Sequence, residues 1–246
     1  MSIQVLPKVA PRAASAAGEA VFIDKNGTLI DELPDGAPAS AIQFRRSAFD
    51  AIASLSAQGH AMVVVTSAPA LGLGLVQRSA LAAVEQAIRN RVREETGVSI
   101  AGFYTCPHKS AEGGNPACLC RMPAPGLLRQ AAASLRLRLD RCWMIGDMLN
   151  DVEAGRRVGA RTVLVDGGME QAWRMSPLRT PHHRVKSLLE AAEVIAHAPP
   201  VAADLDLEIR VPSQPGMRAA SGSSRAVRGP AGPLRPYEPH PTREWL

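Results

Sequence analysis

The chain has 246 residues, is 46% hydrophobic and carries a formal charge of +5. That is enough apolar material for one sizeable core, and no apolar run approaches the roughly 18–20 residues of a membrane helix. The charge does not argue for nucleic acid either: residues 218–246 hold five arginines against two glutamates, in a Pro/Gly/Ser-rich stretch that cannot bury much surface.

The first twenty residues, MSIQVLPKVAPRAASAAGEA, lack a continuous apolar stretch of leader length. A cytoplasmic protein is expected, with no membrane and no specific nucleic-acid partner, and as a monomer. Residues 1–18 read as a loose Ala/Pro-rich segment. AVFID (20–24) is a short buried strand, and RRSAFDAIASLSAQG (45–59) has helical spacing with a glycine stop. AMVVVTS (61–67) is the clearest strand. LVQRSALAAVEQAIRNRVREETG (75–97) is a long amphipathic helix, and SIAGFYT (99–105) a third strand. PAPGLLRQAAASLRL (123–137) opens with prolines where a helix start tolerates them. RCWMIGD (141–147) is a strand, NDVEAGRRVG (150–159) a helix, RTVLVDGG (161–168) a strand and KSLLEAAEVIAHA (186–198) a closing helix. The folded domain is placed at 19–198, with a Pro/Gly/Arg-rich tail over 199–246.

Alternation of this kind predicts an α/β fold with a doubly wound parallel sheet. Such sheets bind ligands outside the carboxyl ends of their strands. The residues to watch are therefore those that end or follow strands: Asp24, Thr66, Cys106 and Asp147.

FYTCPHKSAEGGNPACLCRMP gathers Cys106, His108, Cys118 and Cys120, three of the four cysteines of the chain with a histidine beside them. Four thiolate or imidazole ligands make a closed tetrahedral zinc site, structural rather than catalytic. The turn-rich SAEGGNPA between them lets the halves meet, and the metal would staple a loop with no core of its own. The alternatives are a coincidence of buried cysteines or a disulfide, the latter disfavoured in a reducing compartment. Cys142 stands apart on an apolar strand and reads as a small buried hydrophobe.

FIDKNGTLI, VVVTS, CPH with CLCRMP, and MIGDMLNDVEAG occur in an order and spacing that resembles the haloacid dehalogenase (HAD) superfamily. More narrowly, AGFYTCPH, PAPGLL and GDMLNDVEAGRRVGARTVLVDGG resemble the zinc-loop branch of heptose bisphosphate and histidinol phosphatases. The resemblance covers about residues 19–198 and implies a Rossmann-like domain without a large cap. It also implies a mechanism. Asp24 would attack phosphorus and form an aspartyl-phosphate that water hydrolyses. Mg2+ would be held by the Asp24 side chain, the backbone carbonyl of Asn26 and Asp147, with Asp151 orienting the shell. Thr66 and Ser67 would contact the transferring phosphoryl group, and Arg121 would grip substrate through a charge-assisted fork. The substrate class implied is a small phosphorylated sugar.

The chain departs from that pattern in three places: residue 26, residue 122 and the loop after the second strand. Asn26 stands where the family has an aspartate that protonates the leaving oxygen and activates water; an amide does neither. Met122 replaces a phosphate-contacting lysine. Ser67-Ala68-Pro69-Ala70 replaces a polar substrate-gripping loop, and Leu73 a basic residue. Two readings follow: a hydrolase with an impaired acid–base step, or a non-catalytic relative that binds a phosphorylated ligand or protein partner.

Overall fold

The structure, a computed structural model, describes residues 18–108, 118–166 and 174–199. All of these fall within a unit spanning Met1–Ala203. Strands β1 (Ala20–Asp24), β2 (Ala61–Ser67), β3 (Ile100–Cys106), β4 (Trp143–Gly146), β5 (Arg161–Val165) and β6 (His183–Val185) form one sheet. All five ladders are parallel and the strand order is β3-β2-β1-β4-β5-β6. Helices α1 (Ala48–Ala57), α2 (Pro69–Gly72), α3 (Arg78–Thr96), α4 (Gly126–Leu135), α5 (Leu149–Arg157) and α6 (Leu188–His197) complete the domain.

The strands read as unbroken apolar runs because both faces of the sheet are covered. The pleat sends alternate side chains to opposite faces. Val21, Ile23, Met62, Val64, Trp143, Ile145 and Val163 meet the apolar stripes of α1, α3 and α6 in one core. Phe22, Val63, Val65 and Met144 meet α4 and Ala154 of α5 in the other, which also takes in Cys106, Met122 and Cys142. Cys142 is therefore a packed apolar side chain, as its sequence context suggests.

Element bounds contract relative to the sequence expectation. The helix expected over 45–59 occupies Ala48–Ala57, entered through Ser47 at φ +60. The one expected from 123 begins at Gly126, its prolines lying before it rather than in its first turn. The strand expected over 161–168 ends at Val165, and residues 167–168 lie outside the described residues. Two elements had no sequence signal. The four-residue α2 is too short to show a period. Strand β6 exposes His183 and Arg184 and buries only Val185, so it presents no apolar run.

Strands β1, β2 and β3 wind outward in one direction and β4, β5 and β6 in the other. The reversal falls between β1 and β4, the position at which open α/β sheets bind ligands outside the carboxyl ends of their strands.

Candidate functional site

Asp24 is the last residue of β1 and Asp147 the first after β4, so the β1–β4 pairing brings them to one edge. Asp151 joins them from the first turn of α5. One carboxylate oxygen from each of the three lies within 4.8 Å of the others. Two glycines make that approach possible. Gly27 has φ +75, which an L side chain adopts only with strain, and a Cβ there would overlap the Asp147 carboxylate. A Cβ on Gly146 would overlap the Asp151 carboxylate. Thr28 Oγ1 donates to Asp147 Oδ1 at 3.3 Å, and the Met148 amide donates to Asp151 Oδ2 at 3.0 Å.

Three like charges, Asp147 and Asp151 buried and Asp24 partly so, oppose one another. Burial pushes the Asp24 carboxyl well above its ordinary value, and the charges of Asp151 and Asp147 add to the push. Burial raises Asp147 to about 6, against donors from its own backbone and Thr28. An all-oxygen cluster of this kind suits a hard divalent cation such as Mg2+, which would remove the repulsion.

The segment after β1 folds back on itself. The amides of Leu29 and Ile30 donate to the Lys25 carbonyl at 3.1 and 2.9 Å, and Gly27 N–H donates to Ile30 O at 2.8 Å. Asn26 lies within this turn. Its Nδ2 donates to Glu32 Oε1 at 3.2 Å and to Leu33 O at 3.4 Å, while its Oδ1 is buried without a hydrogen-bond partner. Lys25 is buried and lines a pocket with Leu33, Asp35, Ala68 and Leu71; burial lowers its pKa, opposed by the charge of Asp24.

Thr66 is buried at the end of β2 beside Thr105, and Ser67, half-buried, pairs with Cys106. The Ala68 amide donates to Cys106 O at 2.8 Å, tying the end of β2 to the start of the cysteine cluster. There, Sγ of Cys120 lies 3.3 Å from those of Cys106 and Cys118, and Cys106 Sγ is 3.6 Å from Cys118 Sγ. His108 Nδ1 is 3.2 Å from Cys120 Sγ and 3.6 Å from Cys106 Sγ. A disulfide needs sulfurs about 2.05 Å apart, and all four cysteines of the chain are free. A tetrahedron with metal–sulfur bonds of about 2.3 Å has edges of about 3.8 Å, close to what the thiols present. Burial pushes Cys106 up to about 12. Cys118 falls to about 7 despite burial, because the Arg121 amide and the Cys120 thiol donate to it. A cation would hold all three as thiolates.

Arg121 leans on this cluster: its Nη1 donates to the His108 carbonyl at 3.1 Å. Met122, 8% exposed, packs into the apolar core with Cys106 and presents no charge. Sequence reasoning gathered the three carboxylates and the four soft ligands. It missed Thr28 as a partner of Asp147, and it missed Glu32. Only the Gly27-Thr28 pair hinted at the first, and no spacing rule links residue 32 to residue 26.

A family model described as HAD-hydrolase-like matches residues 119–191. A D-glycero-beta-D-manno-heptose-1,7-bisphosphate 7-phosphatase of Mesorhizobium japonicum is 33% identical over 183 residues, covering 72% of this chain and 83% of that protein. Its counterpart from Pseudomonas putida is 37% identical over 119 residues, covering 48% of this chain and 65% of the relative. A crystal structure of D,D-heptose 1.7-bisphosphate phosphatase from B. bronchiseptica complexed with magnesium and phosphate superposes with a TM-score of 0.62 at 23% identity, over 72% of this chain and 98% of that one. A putative HAD-like phosphatase from Mesorhizobium loti does so at 0.61 with 28% identity, over 76% and 92%.

Proposed function

Because this chain belongs to the HAD-like hydrolases, in the family of the heptose bisphosphate 7-phosphatases, we propose that it hydrolyses a small phosphorylated sugar slowly, with heptose bisphosphate the first candidate. The observation that carries this reading is the meeting of Asp24, Asp147 and Asp151 within 4.8 Å at the switch point of the sheet. That donor set fits Mg2+, which when bound would neutralise phosphate oxygens and hold the ester in line with Asp24.

The chain's own groups then act as follows. Asp24 attacks phosphorus, the ester P–O bond breaks and the alkoxide departs, taking its proton from solvent and leaving an aspartyl-phosphate. Water attacks that phosphorus and loses a proton to solvent, the Asp24 O–P bond breaks, inorganic phosphate leaves and the Asp24 carboxylate is regenerated. Thr66 and Ser67, which end the neighbouring strand, would contact the phosphoryl group, and Arg121 would grip the substrate. The cluster itself would hold zinc as a structural staple, with Cys106, His108, Cys118 and Cys120 as ligands. Asn26 neither gives nor takes a proton, so the step is slowed by the share that acid–base help supplies, about 10²–10⁴-fold.

The second reading, a phosphoester-binding protein without turnover, draws on the same two side chains. The Asn26 amide nitrogen is engaged by Glu32 and Leu33, and Met122 is buried among apolar groups. Phosphate release from heptose bisphosphate with Mg2+ separates the two. The hydrolase reading expects turnover above an Asp24→Ala control and an Asn26→Asp variant about 10²-fold faster or more. No turnover in the native chain with turnover in Asn26→Asp establishes the binding protein, and none in either sinks the hydrolase.

A further inference from the structure

A pocket lies between the segment that follows β1, helix α2 and the first turns of α3. Its walls are apolar, Leu33, Ala68, Leu71, Val76, Leu81 and Val84 among them. Two charged residues also line it, Lys25 and Asp35. Lys25 is 3% exposed and belongs to the floor, whereas Asp35 stands at the exposed rim.

A buried charge is costly unless it is paired and hydrogen-bonded. Among the described residues the Lys25 side chain has no hydrogen bond and no ion pair within 4.0 Å. The apolar walls offer its ammonium no acceptor, and Asp35 does not close across to it. One oxygen of Asp35, Oδ2, accepts from the Ala70 amide at 2.9 Å, which ties the carboxylate to α2. Two opposite charges thus face one narrow pocket without touching.

The chemistry of an occupant follows from this. The charges that reach Lys25 are those of Asp24, Asp35, Glu32 and Glu85, all acidic, so an anion would meet repulsion there. A neutral hydroxyl meets both needs: its oxygen accepts from Lys25 and its O–H donates to Asp35. Two such bonds of about 2.8 Å span roughly 5 Å and join groups too far apart to pair directly. The carbon that bears the hydroxyl would rest on the apolar walls. We propose that this pocket is a subsite for one hydroxyl group of a small neutral polyol or sugar, held between Lys25 and Asp35. Lys25 directly follows the end of β1 at Asp24, and Ala68 the end of β2 at Ser67, so the subsite adjoins the strand ends of the candidate site. Assigning that hydroxyl to the phosphorylated sugar rests on the reading above; the subsite itself does not.

The test titrates the full chain with glycerol as probe and follows the methyl NMR signals of Leu71, Val76, Leu81 and Val84. Glycerol is expected to shift them saturably. Lys25→Met and Asp35→Ala are each expected to weaken that binding about 10-fold, as loss of a hydrogen bond to a charged group does. Acetate is expected to leave the signals unmoved. Ala80→Leu fills the pocket from its exposed rim and is expected to block glycerol with Lys25 intact. Methyl signals of Leu188 and Ile195 on α6 check that each variant is folded. Absence of a saturable shift in the native chain overturns the proposal. So does binding that survives Lys25→Met or Ala80→Leu unchanged, which would mark contact with apolar surface alone, and so does acetate binding as well as glycerol, which would mark an anion site. Turnover is not read, so failure of the hydrolase reading leaves the subsite standing, and failure of the subsite leaves that reading.

Discussion

Asp147 shows how a single side chain couples fold to ligand. Without a cation its carboxyl titrates near 6, well above the ordinary 3.8. Between about pH 4 and pH 6 the folded chain therefore holds more protons than the unfolded one, so this group's contribution is present at low pH and lost as pH rises through about 6. Asp24 shifts in the same direction. Mg2+ competes with those protons. The rise in melting temperature on adding Mg2+ is expected to be small at about pH 5 and to grow by about pH 7.5. Asp147→Asn should abolish the Mg2+ response and stabilise the cation-free chain at neutral pH by about 1–3 kcal/mol, since a neutral amide keeps the Thr28 bond and avoids the cost of burying a charge. A Mg2+ shift independent of pH would contradict this. At this scale the sequence was informative where a residue ends a strand or completes a short motif, as Asp24, Gly27 and Asp147 do. It was silent on Glu32 and on the burial of Lys25, because both depend on how a turn folds back, which no periodicity records.

Among the elements, the cysteine cluster bears the sharpest expectation. It hangs between β3 and α4, and Cys106 and Met122 at its two ends belong to the same core as Phe22 and Leu128. Elemental analysis should find one zinc per chain. Cys120→Ser should reduce that content and destabilise the domain by a few kcal/mol, because Cys120 Sγ is the atom closest to the other three ligands. A zinc-free variant melting with the native chain would refute a structural staple. The elements themselves were legible in proportion to how fully they are buried. AVFID and AMVVVTS coincide with β1 and β2, whose apolar runs leave no competing assignment. Strand β6 was invisible because the sheet edge needs only Val185 to be apolar.

At the scale of the molecule, the expected boundary near residue 199 is a proposal about residues outside the described set. Arg161 Nη1 donates to Pro199 O at 2.8 Å, so the cut that tests it belongs beyond that contact. A chain ending at Ala203 should keep the melting temperature, zinc content and Mg2+ response of the full protein by calorimetry and metal analysis; a large drop would move the boundary. No helix among the described residues is long and apolar enough to cross a membrane. The strand order has a further implication for biosynthesis. Among the described strands, the first to leave the ribosome becomes the middle of the sheet, flanked by β2 and β4. Its β2 side can zip at once, but the other side stays bare until the latter half of the chain emerges. The four Cys/His side chains of the cluster are all made before that moment, and Asp147 arrives only with it. On the proposed metal assignments, a nascent chain would complete its soft-metal knot while still lacking the hard-metal pocket, and the capacity for chemistry would appear only when the sheet closes.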